Sequence, residues 1–148
     1  MSDDLFLQPS ALERGFNRVF GAMVRLGLAL PHNYLLEVRG RKTGKLYTAP
    51  IDLLTYENRP YLVCPRGRSQ WVRNAEAGGE VTLVKAFSRR RFKVRALGNA
   101  EKPPLLKAYL DRYKTTVQRY FTLPAGSPAE AFAEFAGRYP VFELIPAA

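Results

Sequence analysis

Between Tyr34 and Leu97 the chain is a succession of short runs of β-branched, aromatic and aliphatic residues, each closed within a few positions by turn residues. Tyr34–Arg39, Leu46–Tyr56 and Tyr61–Pro65 have the composition of antiparallel strands, and Asn58-Arg59-Pro60 turns the second into the third. Glu80–Phe87 and Arg91–Leu97 form a further hairpin, with Arg89 and Arg90 near its tip.

Helical patterns flank this region. Ser10-Ala11-Leu12-Glu13 has the capping-box form, with a hydroxyl at the cap and a carboxylate three residues on. The spacing of Leu12, Phe16, Val19, Phe20, Met23 and Val24 predicts a helix from Ala11 to Leu30, stopped by Pro31-His32-Asn33. Ser69 to Gly79 reads as a short helix capped by serine and ended by paired glycines. Pro103-Pro104 opens a helix through Tyr120, with Leu105, Leu106, Tyr109, Leu110 and Tyr113 on one side. Ser127 to Glu130 is a second capping box, with Pro128 at the first helical position, and its helix is expected to reach Arg138. Tyr139–Ile145 is a closing strand. The pattern is α+β, mainly β: about six mostly antiparallel strands, with helices at the margins of a small barrel. No repeat or linker interrupts it, so residues 1–148 read as a single domain.

Composition narrows the function. The formal charge is +10, from 23 lysines and arginines against 13 acids, so the surface attracts anions: nucleic acid, acidic lipid or a phosphorylated cofactor. The basic residues concentrate in Arg39–Lys45, Arg66–Arg73 and Lys85–Arg95 rather than in a tail. The acidic start, Met1-Ser2-Asp3-Asp4, does not resemble a secretory signal. A lone Cys64 fits a cytoplasmic protein. No run reaches the about 20 apolar residues of a membrane span. With one histidine, His32, and one cysteine, neither a zinc site nor a Ser–His–Asp or Cys–His–Asn set can be assembled. His32 reads as a helix-terminal or surface residue and Cys64 as packing.

The segment Gly40-Arg41-Lys42-Thr43-Gly44 stands out. A guanidinium, an ammonium and a hydroxyl lie between two glycines at a turn between strands, where side chains and backbone N–H groups can converge on a phosphate or another compact anion. A binding surface with little acid–base equipment suits hydride transfer between two bound organic partners, in which the cofactor does the chemistry and the protein supplies position and field.

Taken in order, Gly40-Arg41-Lys42-Thr43-Gly44, Pro50 in the next strand, Cys64-Pro65-Arg66-Gly67 and Trp71-Val72-Arg73-Asn74 resemble the deazaflavin (F420)-dependent nitroreductase and quinone reductase family, over roughly Tyr34 to Leu83. The resemblance implies a split β-barrel like that of the FMN-binding pyridoxine-phosphate oxidases. It implies a cofactor with a tricyclic ring, a phosphate and an acidic polyglutamate tail. Arg41, Lys42 and Thr43 would hold the phosphate and tail, and Pro50 and Ile51 would line the ring site. Arg66 and Gly67 stand where the family has Lys-Gly, and Trp71 and Asn74 would secure that loop and the pocket edge. The Arg66–Gln70 loop is shorter than is usual in the family and carries Arg68, and arginine changes the geometry that lysine would give. Family members place tyrosines over the substrate, which makes Tyr113 and Tyr120 candidates for proton donation, with Tyr109 beside them; ordinary packing is the competing reading.

The expected activity is hydride transfer from reduced F420 to a quinone, nitroaromatic or similar conjugated acceptor. An FMN-binding reductase of the same fold and a non-catalytic binder of lipid or haem are the alternatives. Arg89-Arg90-Arg91 reads as a solvated, anion-attracting loop rather than a nucleic-acid platform, since no aromatic residues interleave it. The first helix could touch an anionic membrane, and split barrels often pair as homodimers.

Overall fold

The computed structural model describes residues 32–147. The helix expected over residues 11–30, and with it the membrane contact expected there, lies outside the described residues. Among the described residues, seven strands form one antiparallel sheet: β1 (Asn33–Arg39), β2 (Leu46–Asp52), β3 (Leu54–Tyr56), β4 (Arg59–Val63), β5 (Glu80–Lys85), β6 (Ser88–Ala96) and β7 (Val141–Pro146). Their order across the sheet is β2-β1-β5-β6-β7-β4-β3.

That order makes the sheet curl. β2 and β3 are neighbours in sequence, separated by Leu53 alone, yet they stand at opposite edges of the sheet. One residue can join two edges only if the sheet bends until they approach, as in a barrel. The expectation of a single strand over Leu46–Tyr56 is therefore corrected. Asp52 still pairs with Asn33, whereas Leu54 pairs with Tyr61, and between them the Leu53 N–H donates to the His32 carbonyl at 2.8 Å. No turn residue marks the break, because the chain continues extended and only changes its partner.

Alternation along the strands builds two cores. Leu62 and Cys64 face the barrel interior with Leu36, Val38, Phe92 and Phe142, while Tyr61 and Val63 face an outer layer. Helix α1 (Gln70–Gly78) closes the interior with Val72 and Ala75. Ser69 caps it by accepting the Val72 N–H, and Gly79, in the left-handed region at φ 73°, ends it. Both boundaries match the sequence reading. Helix α2 (Pro103–Val117) buries Leu105, Leu106, Tyr109, Leu110 and Tyr113 against β3, β4 and β7, as their spacing predicts, and a 3-10 turn (Gln118–Tyr120) extends it.

Two further expectations are corrected. Residues Ala129–Arg138 form a 3-10 helix rather than a capped α-helix. The Ser127 hydroxyl donates to the Pro124 carbonyl at 2.7 Å, within its own turn, and so does not cap the helix. The second hairpin turns at Ala86–Phe87. Arg89 and Arg90 lie inside β6, opposite Val84 and Leu83, because arginine does not interrupt a ladder.

Candidate functional site

The Gly40–Gly44 turn joins β1 to β2 and is held by its own backbone. Gly40 N–H donates to the Lys45 carbonyl at 2.7 Å, and Gly44 N–H donates to the Gly40 carbonyl at 2.9 Å. Both glycines have a local reason. A Cβ on Gly40 would lie 2.7 Å from the Tyr47 ring, and Gly44 has φ 75°. The Lys45 N–H donates to the Thr43 hydroxyl at 3.2 Å, and an Arg39 guanidinium nitrogen donates to the Gly44 carbonyl at 3.1 Å. Among the described residues, the N–H groups of Lys42 and Thr43 and the Lys42 ammonium are left unbonded at the exposed apex. The anion-facing part of the turn is thus narrower than its sequence suggests.

Asn74 fastens the turn to α1. Its side-chain oxygen, on a residue only 5% exposed, accepts the Arg41 backbone N–H at 3.0 Å and an Arg41 guanidinium nitrogen at 2.8 Å. The same nitrogen donates to Gln70 Oε1 at 3.1 Å. The Gly40–Gly44 and Trp71–Asn74 motifs therefore meet through Arg41 and Asn74. Gln70 was not singled out from the sequence, although it lies one helical turn before Asn74, on the same face. Tyr47, packed on Gly40, was likewise missed; no pattern marks a ring that leans on a glycine.

Several arginines outside this turn are matched locally by carboxylates, and those of the turn are not. Arg59, Arg68, Arg89, Arg91 and Arg95 each pair with a carboxylate, Arg89 with the buried Glu37. Arg39, Arg41, Lys42 and Lys45 have no acidic partner among the described residues. Four uncompensated cations in seven residues, with two free N–H groups at the apex, match the chemistry of a phosphate or a chain of carboxylates.

The remaining predicted residues fall around this centre. Ile51 and Trp71, both half-buried, pack on the interior core, with the Trp71 and Phe142 ring centres 6.1 Å apart. Pro50 pairs with Leu35 and, next to Ile51 on a strand, projects to the opposite face. The Cys64–Ser69 loop turns at Gly67, which is buried at φ 93°, a conformation that favours glycine. Arg66 and Arg119 both lie against the Tyr120 ring, 4.9 Å and 4.8 Å from its centre. Tyr113 donates its hydroxyl to the Leu53 carbonyl at 2.6 Å, and burial raises the pKa of its phenol. Burial also pushes up the Cys64 thiol, whose Sγ lies 3.6 Å from the Ser69 hydroxyl. The structure joins Arg41 with Asn74, and Arg66 with Tyr120; it directs the Tyr113 hydroxyl into the barrel wall.

A family model for F420H(2)-dependent quinone reductase matches residues 14–122, which include the turn, the Cys64–Ser69 loop and α1. The chain belongs to the F420H(2)-dependent quinone reductase family. No curated protein matches it. Solved structures similar to this quinone reductase family member share its fold at low identity. A chain solved as a domain-swapped dimer is 16% identical, with a TM-score of 0.56, covering 90% of this chain and 96% of its own. An F420-H2 dependent reductase is also 16% identical, with a TM-score of 0.52, covering 77% and 94%. HutZ, the heme storage protein of Vibrio cholerae, is 12% identical, with a TM-score of 0.52, covering 94% and 92%. The curled antiparallel sheet is the split β-barrel of FMN-binding and pyridoxine-phosphate-oxidase-like proteins.

Proposed function

We propose that this chain transfers a hydride from reduced F420 to a quinone, or to another conjugated acceptor such as a nitroaromatic compound. Membership of the F420H(2)-dependent family supports the cofactor. The observation that carries the reading is the uncompensated basic turn held against α1 by Asn74. Bound reduced deazaflavin would supply the hydride, and the chain's own residues would position it. Lys42, the apex N–H groups and the outward edge of Arg41 would grip the phosphate and acidic tail. Asn74 and Gln70 would set the angle of Arg41. Ile51 and Trp71 would form the apolar edge against which a flat ring packs, with Pro50 on the outer face of β2. Arg66, held over Tyr120 and followed by the left-handed Gly67, would close the pocket on the α2 side. Tyr120 is then a better proton donor than Tyr113, whose hydroxyl is engaged by Leu53.

No buried acid or base is needed, because hydride transfer between two rings held in contact depends chiefly on orientation. Pairing of two copies is part of the reading, supported by the related fold solved as a domain-swapped dimer. Separate fluorescence titrations with F420 and FMN test the cofactor. Saturable binding of F420, followed by oxidation of reduced F420 on adding a quinone, is expected. Binding of FMN without F420 would overturn the assignment, and binding of neither would return the fold to the class of lipid or haem carriers.

A further inference from the structure

The β5–β6 hairpin carries a feature that hydride transfer does not use. Its two-residue turn holds Ala86 in the left-handed region at φ 52° and presents Phe87, 101% exposed, at the tip. Among the described residues, the other exposed large apolar side chains, Leu46, Tyr47 and Ile145, stand at 43 to 47%, so of these only Phe87 is wholly in water. From Lys85 to Arg95 the chain has six cations and no acid. Several are committed: Arg89 to Glu37, Arg91 to Glu80, and Arg95 to Glu101 and Glu143. The Lys85 ammonium sits 4.7 Å from the Tyr34 ring centre, and the Arg90 guanidinium 5.1 Å from that of Phe92. Neither ring removes positive charge. The tip is an aromatic side chain with nothing to pack on, on a hairpin whose Arg90 and Lys93 have no acidic partner among the described residues.

We propose that this hairpin tip is a docking point for an anionic lipid surface, with Phe87 entering the headgroup and acyl boundary and Arg90 facing the lipid phosphates. An exposed aromatic ring costs free energy in water that an interface returns, and neighbouring cations are drawn to the negative surface potential of such a membrane. Charge complementarity favours lipid over an acidic protein, because the tip offers one insertable ring and no groove. Nucleic acid is disfavoured because no second exposed ring stands on the β5–β6 hairpin to continue a stacking platform. Docking here does not depend on the identity of the redox cofactor.

Sedimentation of the full chain with vesicles tests it, using neutral phosphatidylcholine and the same lipid mixed with phosphatidylglycerol. Binding is expected to the anionic vesicles alone and to weaken as salt is raised. Phe87→Ser should reduce it by about tenfold or more, and Arg90→Glu by a similar factor. Phe87 packs on nothing, so Phe87→Ser should keep the thermal midpoint of the parent. In a Trp71→Phe background, Phe87→Trp should shift its emission to the blue on adding anionic vesicles. Equal binding of Phe87→Ser and the parent, an unshifted emission, or salt-sensitive retention on duplex DNA without vesicle binding would overturn the proposal. Because F420 titration needs no lipid, failure here leaves the redox assignment standing, and failure there leaves this one.

Discussion

Asn74 does the work of several residues, because one buried amide oxygen accepts from both the backbone and the side chain of Arg41. Asn74→Ala should cost about 1–3 kcal/mol, measured by urea unfolding, since it deprives the Arg41 N–H of its partner. It should also weaken F420 binding. Asp52 yields a pH prediction. Burial raises its pKa against smaller opposing pulls from His32, 3.5 Å away, and from the Asn33 amide. The folded state therefore holds the proton more tightly than the unfolded one. This group's contribution to stability is greatest below the ordinary carboxylate value of about 4 and declines as pH rises through the raised folded value. Asp52→Asn should remove that decline, seen as a flatter dependence of the urea midpoint on pH across the acid range. Cys64 is buried with its thiol pushed up, so native protein should resist alkylation until it is unfolded. Rapid labelling of the folded chain would contradict the buried placement.

At the scale of elements, what could be read in the sequence was what local chemistry decides. Ser69 and Gly79 bound α1 because a hydroxyl cap and a left-handed glycine are local devices, and the buried side of α2 follows from helical spacing alone. The split between β2 and β3 was not legible. It arises from barrel closure, a property of the whole sheet, and leaves no turn residue at Leu53. Ser127 misled for a related reason: its hydroxyl had a choice of partners, and the Pro124 carbonyl took it. The site shows the same division. The residues of the Gly40–Gly44 turn are a local motif, whereas the contact of Arg41 with Gln70 needs the fold that brings α1 beside it. Two substitutions test these elements. Gly44→Ala meets no atom within 4 Å but forces a side chain to φ 75°, and should cost about 1–2 kcal/mol from backbone strain alone. Tyr113→Phe removes the bond to the Leu53 carbonyl, where the chain crosses between sheet edges, and should cost about 0.5–1.5 kcal/mol. Both are read from chemical unfolding, and an unchanged midpoint would contradict either one.

At the scale of the molecule, the excess of +10 is not spread evenly. Most sheet arginines are matched by carboxylates, while the turn at Arg39–Lys45 is left positive and attracts an anion. Affinity for F420 should therefore fall as salt is raised, in the manner of exposed charges. The most direct measurement is a pair of F420 titrations, of the parent chain and of Arg41→Ala combined with Lys42→Ala, at one ionic strength and with thermal midpoints recorded. Two charge-assisted contacts at about 1.5 kcal/mol each predict a loss of affinity of about a hundredfold, with folding little altered. Equal affinity in the two proteins would contradict the assignment of this turn to the cofactor.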